Sequence, residues 1–153
     1  MQIFAVDKRM TITPHEDALV VKALIHNYMV HNILVDTGSS VNLLTLKVFN
    51  KMGLDQATLS PVTTPLVGLG GKSTIIVGSI KLEVELGEGN ITKTLQTKFM
   101  VVDIPFAYNA IIGRPILNET CASIYVQYLL LKIPTSKGEA IIKGDQRQAR
   151  IAY

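Results

Sequence analysis

An apolar run, Ile33-Leu34-Val35, ends abruptly in Asp36, and Thr37, Gly38, Ser39 and Ser40 follow it. Such a run marks a buried strand, so a carboxylate at its end is costly unless hydrogen bonds or a change of protonation state compensate it. Gly38 lets another backbone segment approach closely, while the hydroxyls of Thr37, Ser39 and Ser40 can orient the carboxylate and satisfy nearby main-chain groups. This is the composition of a loop that does acid–base chemistry. It is equally the composition of an Asx or Ser/Thr turn closing a strand, and the triplet Asp36-Thr37-Gly38 alone does not separate the two.

The elements around it read as mainly β. Segments 18–25, 29–35, 74–86 and 95–102 are rich in β-branched residues and partly alternate, with turn residues between them. His26-Asn27-Tyr28 and Gly87-Glu88-Gly89-Asn90 join these segments in pairs, which predicts two antiparallel hairpins. A helix is expected over 45–52, with Thr45 as its cap and Gly53 as its left-handed exit. A second short helix starts at Pro115, residues 125–133 read as a further strand, and the tail after Gly144 reads as helical. No repeat or low-complexity tract divides the chain.

Composition narrows the function classes. The chain has 153 residues, 48% of them hydrophobic and 18% charged, which suits one folded domain with a real core. No apolar stretch reaches the ~18 residues of a membrane span, and the first residues are too soon charged for a secretory signal. The single cysteine, Cys121, excludes an internal disulfide and is expected to be a small buried apolar side chain. His15, His26 and His31 have no metal-ligand spacing with one another or with Cys121, so no metal is expected. Gly71-Lys72-Ser73 mimics the end of a phosphate-binding loop, but Leu66 stands where that motif needs glycine, and a strand follows instead of a helix. A net charge of +3 and a few basic residues near the C-terminus are weak grounds for nucleic-acid binding, which is not expected. Tyr125 and Tyr128 read as packing residues and not as a stacking platform.

Three segments in order bear a resemblance. Asp36-Thr37-Gly38 resembles the catalytic loop of the retropepsins, the dimeric aspartic proteases of retroviruses and retrotransposons. Leu66-Val67-Gly68-Leu69-Gly70-Gly71-Lys72 looks like their flap hairpin, and Ala110-Ile111-Ile112-Gly113-Arg114 resembles their second signature before the C-terminal helix. The text from His15 to Gln146 looks most like the protease segment of plant gypsy-type retrotransposon polyproteins. The resemblance implies a small closed, barrel-like acid-protease fold with a flap and one or two short helices, working as a homodimer. Residues 15–120 would form the core, 1–14 an N-terminal extension, and 121–153 a C-terminal extension whose strand pairs across the dimer axis and whose end is a tail.

The implied chemistry needs two Asp side chains sharing a proton around one water, and this chain has one Asp-Thr-Gly. Two like charges about 3 Å apart do not both ionise, so in a pair of Asp36 one polarises the scissile carbonyl while the other activates water. Thr37 would bond across the axis, Gly38 and Ser39 would support the loop, and Gly113 would lie behind it. Val67, Gly68, Leu69, Gly70 and Gly71 would close over an extended polypeptide substrate. No cofactor is implied, and the setting would be cytoplasmic or a virus-like particle, within a longer polyprotein. Ser39 and Ser40 depart from the viral pattern, leaving Arg114 without its usual carboxylate; Ser39 is expected to donate to Asp36 and so to favour an acidic working range. A retropepsin-like module kept only for dimerisation or peptide binding is the alternative.

Overall fold

The computed structural model describes residues 18–62 and 75–144. Strands β1 (Val20–Ile25) and β2 (Tyr28–Val35) form an antiparallel hairpin whose turn residues His26 and Asn27 have φ of 50° and 67°. Two successive left-handed residues give the turn a twist that matches the flanking strands. Strand β3 (Asn42–Thr45) runs into helix α1 (Leu46–Lys51), where Thr45 Oγ1 accepts the Val48 N–H at 3.4 Å. Gly53, at φ 75°, takes the chain out of the helix. Strands β4 (Ile75–Leu86) and β5 (Lys93–Asp103) make the second antiparallel hairpin across the 87–90 turn. Strand β6 (Ala110–Ile112) and helix α2 (Arg114–Glu119), with Pro115 in its first turn, complete the expected order.

The strands close into a barrel in the order β1-β2-β6-β3-β5-β4. Alternation supplies its interior: Leu82, Val84 and Leu86 of β4 and Leu95, Phe99 and Val101 of β5 turn inward, onto Ile33, Leu44 and Phe49. Each such side chain, once buried, stabilises the fold by roughly 1.5–3 kcal/mol. Strand β6 decides where the chain crosses itself. It lies between β2 and β3, parallel to the first and antiparallel to the second, so the segment joining β2 to β3 must cross its end.

The C-terminal part departs from expectation. Instead of one strand over 125–133 there are two, β7 (Ser123–Tyr125) and β8 (Leu130–Thr135), joined by a turn in which Leu129 has φ 50° and its N–H donates to Val126 O at 3.2 Å. A third strand, β9 (Gly138–Lys143), was not anticipated; Gly138, at φ 125°, closes a tight hairpin that Thr135 Oγ1 ties to Gly138 O at 2.6 Å. Strand β8 pairs along its length with β9, and at Leu130 to Lys132 also with β7. Its Leu131 and Ile133, with Ala140 and Ile142 of β9, join the barrel's core. Cys121 is also not where it was expected: it is exposed, at φ 55° in the turn after α2, and Thr120 is buried in its stead. The segment 1–14, His15, the expected flap and the tail after Gly144 lie outside the described residues. Among those residues no helix is long and apolar enough to cross a membrane.

Candidate active site

Asp36 is the first residue past β2 and is half-buried. Its N–H donates to Ile112 O at 3.0 Å, which extends the β2–β6 ladder by one rung and fixes where the carboxyl begins. Asp36 Oδ1 accepts the Gly38 N–H at 2.9 Å, and the Ser39 N–H reaches back to Asp36 O at 3.2 Å, so the side chain closes an Asx turn on its own loop. The carboxyl is thereby oriented by main chain. Ser39 holds the loop differently from what was expected. Its hydroxyl donates to Val41 O at 2.6 Å and accepts from Val41 N at 3.4 Å, so its one proton is committed there and not to Asp36. An acidic working range therefore draws no support from Ser39.

Behind the loop lies the second signature. A Cβ on Gly113 would collide with the Val41 carbonyl oxygen and lie 2.9 Å from Ser39 O, so no other residue lets the loop cross β6 this closely. Arg114 N–H donates to Ser39 O at 2.9 Å. Ile111 and Ile112 are buried on opposite sides of the sheet: Ile112 joins the barrel core, whereas Ile111 sits outside it. The structure thus brings Asp36, Gly38, Ser39, Ile111, Ile112, Gly113 and Arg114 into one locality. Thr37, Gly38 and Ser40 are exposed at the loop's tip, and the Arg114 side chain is exposed with no ion-pair partner among the described residues. Val67, Gly68, Leu69, Gly70 and Gly71 lie outside those residues.

A second, small apolar cluster lies near the loop. Leu34, two positions before Asp36 on the outer side of β2, pairs in register with Ile111, which pairs with Leu43. Val102 is buried with these last two, and Val41, Met100, Ile104 and Phe106 pack around them. The loop that carries Phe106 is tied to β2 by side-chain amides, Asn32 Nδ2 donating to Ala107 O and Asn109 Nδ2 to His31 O, each at 2.8 Å.

Sequence reasoning passed over Asn42, the buried first residue of β3, whose amide bonds to Gly113, Thr97 and Lys98. The signal was present, since one amide inside the run Val41-Asn42-Leu43-Leu44 must find partners when buried. Among the described residues, no three His, Cys, Asp or Glu side chains gather to hold a metal ion.

No protein-family description matches this chain, and no curated protein does. Solved structures do. The chain superposes on the retroviral protease-like domain of Ddi1 from Leishmania major with a TM-score of 0.63, at 21% identity over 84% of this chain and 94% of that one. A retropepsin-like aspartic protease from Rickettsia conorii gives a TM-score of 0.53 at 22% identity, over 80% of each chain. EIAV protease, solved with the inhibitor HBY-793, gives 0.51 at 23% identity, over 72% of this chain and 94% of that one. The closed barrel, the crossing of β6 by the Asp36 loop and these superpositions together establish that the chain has the retropepsin-like fold.

Proposed function

We propose that the chain is one half of an aspartic endopeptidase, completed by a second copy, that hydrolyses peptide bonds in a retroelement polyprotein. The observation that carries this reading is the Asp36 loop: a main-chain-oriented carboxyl at a strand end, pinned on Gly113, with Thr37 and Gly38 exposed beside it. A module freed from catalysis has no physical need for that construction.

One carboxyl cannot serve as acid and base in the same step, so the site is complete only where two Asp36 meet on a twofold axis. The ionised Asp36 takes a proton from the water held between them as its oxygen bonds to the scissile carbonyl carbon. The protonated Asp36 gives its proton to the carbonyl oxygen. Collapse of the tetrahedral gem-diol breaks the C–N bond: the amine leaves with the proton taken from the water, one hydroxyl of the gem-diol returns its proton to the other Asp36, and a carboxylic acid, an amine and the singly protonated dyad remain. Strand β7 supports the pairing: among the described residues it is bonded to β8 alone, and its Tyr125, with Val126 and Tyr128 after it, is exposed, at 40%, 55% and 69% respectively.

The test is cleavage of a peptide library by the purified chain at concentrations where its solution mass is that of a dimer, with and without a statine-type peptide. Cleavage that the inhibitor blocks and that Asp36→Asn abolishes is expected. A strict monomer, or cutting that survives Asp36→Asn, overturns the proposal, and a dimer that binds peptides without cutting them is a binding module instead.

A further inference from the structure

Asn42 is 1% exposed, and both N–H groups and the oxygen of its amide are hydrogen-bonded. Its Nδ2 donates to Lys98 O at 3.0 Å and to Thr97 Oγ1 at 3.2 Å, and its Oδ1 accepts the Gly113 N–H at 3.0 Å. One side chain therefore bonds β5, through residues 97 and 98, to the turn between β6 and α2. That turn is what the Asp36 loop rests on. Ile112 O takes the Asp36 N–H, Arg114 N–H reaches Ser39 O, and between them Gly113 packs against Val41 and Ser39 with no room to spare. Of three consecutive residues that face the loop, the outer two hold it directly, and the middle one is held by Asn42.

We infer that Asn42 is a positioning residue for the proposed hydrolysis, fixing the height of the Gly113 turn and through it the placement of the Asp36 carboxyl relative to its twin. The inference rests on the protease reading above. The side chain's chemistry suits the task. An aspartate of the same shape would still accept from Gly113 but would offer Lys98 O no donor, and a leucine would leave the Gly113 N–H without a partner. A dyad that shares one proton around one water is sensitive to small displacements, because a misplacement of about 1 Å costs on the order of a hundredfold in rate. The same displacement hardly alters peptide binding, which is spread along an extended strand. The expected signature is therefore a loss in kcat with KM held.

The experiment compares wild type, Asn42→Leu, Asn42→Asp and Asp36→Asn as full-length dimers. Active sites are counted by titration with a tight-binding statine-type peptide, and kcat per titrated site, KM and thermal melting are measured. Asn42→Leu is expected to lose roughly 10- to 100-fold in kcat with KM within about threefold, and Asn42→Asp to fall between it and wild type. If either folded variant turns over within about twofold of wild type while Asp36→Asn is inert, the role given to Asn42 is wrong and the protease reading stands. If wild type cuts nothing, or Asp36→Asn cuts as well as wild type, the protease reading fails and takes this inference with it. Should Asn42→Leu not fold, Asn42→Asp carries the comparison. Loss of fold in both makes Asn42 a structural residue and likewise overturns the inference.

Discussion

Gly38 and Gly113 both belong to the Asp36 loop's surroundings, yet they are glycine for different reasons. A Cβ at Gly38 would meet only Asp36 Oδ1, at 3.3 Å, on the exposed side of the loop. At Gly113 it would meet main chain that cannot turn aside, including the Val41 carbonyl carbon at 2.8 Å. Gly113→Ala is therefore expected to cost about 1–3 kcal/mol in urea unfolding, and Gly38→Ala no more than about 1 kcal/mol. Equal costs for the two would mean that the crossing at β6 is looser than these contacts imply. The same contrast explains what could be read at this scale. Asp36 was legible because a carboxylate closing an apolar run is chemically out of place, and Gly113 because a known signature contains it. The partner of Ser39 was not, since Asp36 and Val41 are both near neighbours and only the fold of the loop decides which one the hydroxyl faces. Cys121 was misjudged because its residue type favours burial while its place, just after the last turn of α2, turns it outward.

Among the elements, α1 and β8 offer separate tests. Thr45 Oγ1 caps α1 by accepting from Val48 N and also donates to Asn109 O at 3.3 Å, tying the helix start to the loop before β6. Thr45→Ala is expected to lower unfolding free energy by roughly 0.5–2 kcal/mol. Leu131, 1% exposed in β8, packs into the barrel's own core, so Leu131→Ala should cost about 2–5 kcal/mol in the same measurement. A much smaller cost at Leu131 would make the β7-β8-β9 sheet an appendage. The long elements were legible because alternation over 8–12 residues is hard to imitate: β2, β4 and β5 all fall where they were expected. Three-residue β6 has no period to read, and its neighbours, at Ile33 to Val35 and at Leu43 and Leu44, are more than sixty positions away. The misread segment at 125–133 is an apolar run interrupted by a turn without glycine or proline, in which Leu129 itself takes the left-handed conformation that usually betrays a turn.

For the whole molecule, the question is how many chains make one site. The described chain presents one oriented carboxyl, half-buried, with the loop tip exposed around it, which is half of what the proposed hydrolysis requires. If two Asp36 must meet, activity belongs to pairs, and a chain carrying Asp36→Asn becomes a poison and not merely a blank. Mixing wild type with an equal amount of Asp36→Asn, and letting subunits exchange at a concentration well above that needed for pairing, leaves about one quarter of the dimers wild type on both sides. Because the number of dimers has doubled, total cleavage should settle at about one half of that before mixing, and a ninefold excess of the variant should bring it to about one tenth. Chains competent alone would keep the full rate at every ratio. Dilution adds an independent arm: specific activity should fall as dimers dissociate and return when the protein is concentrated again, in step with the solution mass. A rate indifferent to both the ratio and the concentration would mean that Asp36 needs no twin, and the mechanism proposed for this fold would not apply to this chain.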